Sequence, residues 1–177
     1  GMLGVLIWYF VALGQFAGVQ PTEADRSSVN KILGGQLTLF LGPLVAWLIM
    51  YSLVMMNPYD PSLGVICGLI LILLIFIIGY ALMLSGYGNL KNSTSFSPEC
   101  QSGFGLLHTT IIINLIFVIL SLIPEFGMMF ADSYETIMNL NKFSGLIGML
   151  ALIAGVVNLI LTFVGWAKVK NNGPQND

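Results

Sequence analysis

The residues that could do chemistry in this sequence are few, and most are amides and hydroxyls. His108 is the single histidine, and Asn114 follows it in LLHTTIIINLIFVILSLIP at 106–124, a stretch otherwise dominated by Ile, Leu, Val and Phe. Asn158 lies in a second apolar stretch at 143–167. Thr110, Asn114 and Ser121 are separated by 4 and 7 residues, so a helix places them on one face. Ser144, Ala151, Gly155, Asn158, Thr162 and Gly165 form a stripe in the same way. Asparagines near the middle of two apolar helices can hydrogen-bond across them, worth about 0.6–2 kcal/mol in a membrane. Alternatively, Thr110, Asn114, Ser121, Asn158 and Thr162 line a hydrated seam that carries a small polar solute. His108 sits about 120° around the helix from Asn114 and nearly two turns closer to its start, so the two do not make one site. Histidine titrates near neutral pH, which makes His108 a pH-sensitive candidate. The alternative is an interfacial imidazole reaching water or a backbone carbonyl.

Reaction chemistry is harder to find. No P-loop, dinucleotide-binding glycine pattern, HExxH or GxSxG occurs. No Asp, Glu, Lys or Arg lies well inside an apolar run, which argues against a carboxylate proton relay. A serine nucleophile needs a base within reach, and Ser121 has no ionisable neighbour in its own run. One histidine without a Cys or Glu pattern is not a zinc or haem signature. Met55, Met56, Met128, Met129 and Met138 supply thioethers, which suit Cu(I), although methionine ordinarily fills packing gaps. The expectation is a non-enzyme with no cofactor and no metal.

The elements that must position these groups are apolar helices. The chain has 177 residues, a mean hydropathy of +0.90 and only 8% charged residues, against about a quarter in a soluble domain. Five apolar runs are visible, at about 2–19, 34–56, 63–86, 106–123 and 143–167. About 20 residues of helix cross the hydrocarbon core, and an open sheet cannot satisfy its backbone there. The sequence therefore predicts an all-α integral membrane bundle of five transmembrane helices, or four if the first run is re-entrant. A single membrane domain over 1–177 with a tail at 168–177 is expected.

Charge orients this bundle. Arg26, Lys31, Lys91, Lys168 and Lys170, five of the six Lys and Arg, fall on one side of five spans. The positive-inside rule makes that side cytoplasmic, with the N-terminus outside and the C-terminus inside, in the cell membrane. The sequon Asn92-Ser93-Thr94 then faces the cytoplasm and stays unmodified. Gly1 before Met2 reads as a residue left by cloning, and no Lys or Arg precedes the first apolar run as in an ordinary signal peptide. A net charge of −2 argues against nucleic acid. Cys67 in an apolar run and Cys100 in a polar connector are not expected to pair.

Helices in lipid associate through close backbone approach. Gly64, Gly68, Gly79 and Gly86 recur at spacings of 4, 11 and 7, on one helical face. Gly14 and Gly18 in the first run and Gly155 in the last are further packing candidates, as are Gly35, Gly42 and Ala46 in the second, where Pro43 predicts a kink. The connector from Pro124 to Asn141 is acidic, and Phe126, Phe130, Tyr134, Ile137 and Met138 recur in it at near-helical spacing. A short amphipathic helix on the outer membrane surface is predicted there, opened by Asp132-Ser133-Tyr134-Glu135.

The succession GYALMLSGYGNLKN, a Ser-rich connector, GFGLLHTTIII and a Gly-rich last span ending in WAKVK resembles small uncharacterised archaeal and bacterial polytopic membrane families, over residues 34 to 168. The resemblance implies no established activity. The resulting expectation is a helix-packing subunit or scaffold, or a homo-oligomer, whose partners are lipid and other membrane subunits or itself. A small-solute channel is the alternative.

Overall fold

A computed structural model describes residues 1–20 and 22–172. Among these the chain is entirely helical: α1 (Met2–Gly18), α2 (Glu23–Met56), α3 (Ser62–Lys91), α4 (Pro98–Phe130) and α5 (Tyr134–Asn172). Helices α2 to α5 are each long and apolar enough to cross a membrane. The chain is thus a polytopic membrane protein. Helix α1 has 17 residues, about 26 Å at 1.5 Å per residue, somewhat short of the roughly 30 Å hydrocarbon core.

The helices overrun the apolar runs. Helix α2 has 34 residues, about 50 Å of helix, because its start is fixed in the polar segment before the run. Thr22 accepts the Asp25 N–H at 3.1 Å, and Glu23 and Asp25 supply negative charge to the first turn. Ser97 caps α4 in the same way, accepting the Cys100 N–H at 3.2 Å, with Pro98 in the first turn, where it costs no hydrogen bond. Pro43 and Pro124 both lie inside unbroken helices.

The expected separate surface helix in the connector from Pro124 to Asn141 is not formed. Helix α4 continues through Pro124 to Phe130, and α5 begins at Tyr134, so only residues 131–133 lie between them. Ser133 starts α5 by accepting the Thr136 N–H at 3.2 Å. A Cβ on Gly127 would meet the Leu140 side chain at 2.9 Å, so the two segments pack on each other as extensions of the spans. Their helical periodicity belongs to those extensions. At the other end, residues 168–172 of the expected tail continue α5, and 173–177 lie outside the described residues.

The helices gather into two compact units, Gly1–Ser95 and Phe96–Asp177. In the first, α1 packs on α2 and α2 on α3. Leu13 and Ala17 of α1 are buried, and Phe10 meets Phe40 of α2 with ring centroids 5.8 Å apart. The α2–α3 contact brings backbone close to backbone at two places. A Cβ on Gly35 would lie 2.6 Å from the Gly79 carbonyl oxygen, and one on Gly86 would lie 2.6 Å from the Ser28 carbonyl oxygen. Further along, Gly42 receives Ile75, Gly68 receives Met50 and Gly64 receives Val54. Glycine on both helices lets their axes approach until dispersion and Cα–H···O contacts form along the interface.

The second unit is the α4–α5 hairpin. Its tightest point is Gly103 against Gly165, where a Cβ on Gly103 would meet the Gly165 carbonyl oxygen at 2.6 Å. Cys100, Phe104 and Leu107 are fully buried around it, and Phe96 meets Phe104 edge-on with centroids 5.1 Å apart. Outside these contacts the helices present Ile, Leu, Val and Phe, for example Leu152, Phe163 and Ile77. Such a surface suits lipid.

Gly35→Ala should lower the thermal stability of the detergent-solubilised protein, by about 1–3 kcal/mol for an overpacked contact. Gly34→Ala should be near neutral, since a Cβ there meets only Leu82 Cδ1 at 3.9 Å. Equal melting temperatures for the two variants would remove the backbone-contact explanation.

Candidate functional site

The polar groups of the hairpin meet at one place. Asn158 Nδ2 donates to Asn114 Oδ1 at 2.6 Å, joining α5 to α4. The two residues share the facing sides of the helices because Asn114 follows Thr110 by one turn and Asn158 precedes Gly165 by two. Asn158 is buried, whereas Asn114 is exposed. The remaining carbonyl oxygen, Asn158 Oδ1, is buried with no hydrogen-bond partner. Exchanging O and N in both amides reverses the bond and leaves a buried N–H in its place, so one end of Asn158 is unmatched either way.

The neighbouring hydroxyls turn back on their own helices. Thr110 Oγ1 donates to the Leu107 carbonyl at 2.6 Å, Thr162 Oγ1 to the Asn158 carbonyl at 2.7 Å and Ser121 Oγ to the Val118 carbonyl at 2.8 Å. Each bond is intrahelical, as expected for Ser and Thr in an apolar medium. His108 is half-buried on α4, away from the amide pair.

The glycine candidates divide. Gly64, Gly68 and Gly79 are buried on the α3 face that meets α2. Gly14, Gly18 and Gly155 differ: a Cβ on any of them would meet nothing within 4 Å. Helix α1 uses Leu13 and Ala17 instead, and Gly14 and Gly18 each lie about 100° further round the helix. On α5 the buried positions are Ile147, Asn158, Gly165 and Val169, and Gly155 lies about 60° from Asn158.

Two further polar clusters lie in the first unit, and the sequence reading missed both. Gln36 Nε2 of α2 donates to the Tyr9 hydroxyl of α1 at 3.0 Å, and that hydroxyl is hydrogen-bonded to Tyr87 of α3. These three side chains tie all three helices together, with Tyr87 among the most buried residues and Gln36 Oε1 left unpartnered. The signal available was Gln36 itself, an amide just inside an apolar run. The second cluster surrounds the buried Asp25 carboxylate, which accepts from Thr22 Oγ1 and Ser93 Oγ, both at 2.7 Å. It fastens the start of α2 to the segment after α3. Outside the helices, Asp60 accepts the Ser62 hydroxyl at 2.6 Å and its N–H at 3.3 Å, which hold its carboxyl below the usual range.

Chemically, these arrangements offer amides, phenols and one buried carboxylate. No group of three His, Cys, Asp or Glu side chains gathers among the described residues. Cys67 and Cys100 are both free thiols, and Cys100 lies buried against the Val169 carbonyl, with Sγ 4.0 Å from its oxygen. No protein-family model matches the chain, and no curated protein or solved structure proves similar to it.

A double-mutant cycle with Asn114→Ala and Asn158→Ala should give a coupling energy of about 0.5–2 kcal/mol in unfolding from mild detergent. Strict additivity would show that the 2.6 Å bond contributes nothing.

Proposed function

We propose that this chain is a non-catalytic, helix-packing membrane protein, a subunit or scaffold of a membrane assembly or a homo-oligomer. The observation that carries the reading is the internal use of the hairpin's polar groups. Asn158 bonds Asn114, and Thr110, Thr162 and Ser121 each bond a carbonyl of their own helix. A solute path needs donors and acceptors presented to the solute, whereas the Asn158–Asn114 bond joins two helices and the three hydroxyls are taken up by their own helix. The unpartnered Asn158 Oδ1 favours the second reading, a small-solute channel or transporter along Thr110, Asn114, Asn158 and Thr162.

The proposed setting is the cell membrane, with the N-terminus outside and the C-terminus cytoplasmic. Support comes from the basic residues: Arg26, Lys31, Lys91, Lys168 and Lys170 fall at one end of the spans, and Lys142 alone at the other. The resemblance to small archaeal and bacterial membrane families brings no expectation of activity. The proposed contacts are lipid and other membrane subunits or a second copy.

Proteoliposomes carrying the full chain should show no flux of water, urea or glycerol above protein-free vesicles, with Asn158→Leu lowering stability alone. Flux that Asn158→Leu abolishes would make the transport reading correct. In intact cells a membrane-impermeant thiol reagent should label Asp60→Cys but reach Ser95→Cys only after permeabilisation; the reverse pattern would invert the orientation.

A further inference from the structure

Asn114 occupies an unusual place. It lies near the middle of the apolar run 106–123, about 12 Å from either end of that run. At that depth neither water nor headgroups supply hydrogen bonds. Yet Asn114 is exposed, and its only hydrogen bond among the described residues' side chains is the one its Oδ1 accepts from Asn158. Both Nδ2 hydrogens and the second lone pair of Oδ1 are therefore unused. Asn158, more than nine-tenths buried beside it, carries a further unmatched oxygen. A bare amide facing acyl chains is costly, so something polar covers this face in the membrane.

The cover must offer both an acceptor and a donor at mid-span. Asn114 itself has the right pair. Two copies related by a two-fold axis place identical patches together, so each Asn114 can donate from Nδ2 to the Oδ1 of the other. An amide is self-complementary under that operation, as a single buried asparagine is in paired helices. The bond from Asn158 then fixes the orientation of Asn114. Gly155, one turn from Asn158 with open space around it, allows a second helix to come close.

We infer that the α4–α5 face around Asn114 is a homodimer interface, closed by reciprocal Asn114–Asn114 hydrogen bonds between two copies of this chain. The inference rests on the helix-packing reading above and adds the identity of the occupant.

The test is subunit counting by single-molecule photobleaching of the full chain, fluorescently tagged at its C-terminus, in lipid vesicles at varied protein-to-lipid ratio. The wild type should be a dimer. Asn114→Leu should raise the dimer dissociation constant by roughly 3- to 20-fold, the range expected for membrane-buried side-chain hydrogen bonds. Asn114→Gln, which keeps the amide, should retain most of the affinity. Ser121→Cys, exposed and on the face of Asn114, provides a second measurement should Asn114→Leu not fold: it should form a disulfide between copies. A monomeric wild type with no Ser121→Cys cross-link overturns the inference, as does a dimer indifferent to Asn114→Leu. A monomer that instead purifies with a fixed set of other membrane proteins overturns the inference but keeps the helix-packing reading. Solute flux from the same vesicles overturns that reading itself.

Discussion

A hydrocarbon layer supplies no hydrogen bonds, and most of this structure follows from that. Backbone groups are satisfied by helices, which form the whole of the described chain apart from short connectors. Side-chain polar groups inside the spans must find partners within the protein. Hydroxyls do so cheaply, by returning to a carbonyl of their own helix, as Thr38, Ser52, Thr110, Ser121 and Thr162 do. Amides and phenols cannot fold back so easily, so they cross to a neighbour. Asn158 crosses to Asn114, and Gln36 crosses to Tyr9, which is bonded in turn to Tyr87. The groups that cross are the ones that specify which helices meet.

Close backbone approach completes that specification. The α2–α3 pair is built on glycine along its length, from Gly86 beside Ser28, through Gly79 beside Gly35, to Gly64 beside Val54. The α4–α5 pair is built differently. Its backbones come nearest at Gly103 and Gly165, with Phe104, Leu107 and Cys100 packed around them. Further along, side chains separate the helices and the amide bond bridges them.

Much of this was legible in the residues, for identifiable reasons. Apolar runs announce spans because few charged groups can enter lipid, and the last four became α2 to α5. The α3 glycines point to a buried face because a spacing of 4, 11 and 7 keeps one side of a helix free of side chains. The same spacing argument misleads at Gly14 and Gly18, since a glycine pair marks a face without saying whether a partner meets it. The ends of helices were less legible. Hydropathy stops at the membrane, but Thr22, Ser97 and Ser133 start their helices in polar segments well before the apolar run. The Asn114–Asn158 bond could be anticipated from two mid-span amides; the Tyr9–Gln36–Tyr87 cluster could not, because it depends on which face α1 turns to α2. The division into two units leaves no trace in composition.

The central claim is that the mid-span amides serve contacts between helices and not a water-filled path. Hydrogen exchange of the Asn158 side-chain amide, followed by NMR in lipid nanodiscs, tests it most directly. The account predicts slow exchange, because Nδ2 is held at 2.6 Å by Asn114 in a region without water. Exchange as fast as that of an asparagine in bulk water would contradict it and place a hydrated seam between α4 and α5.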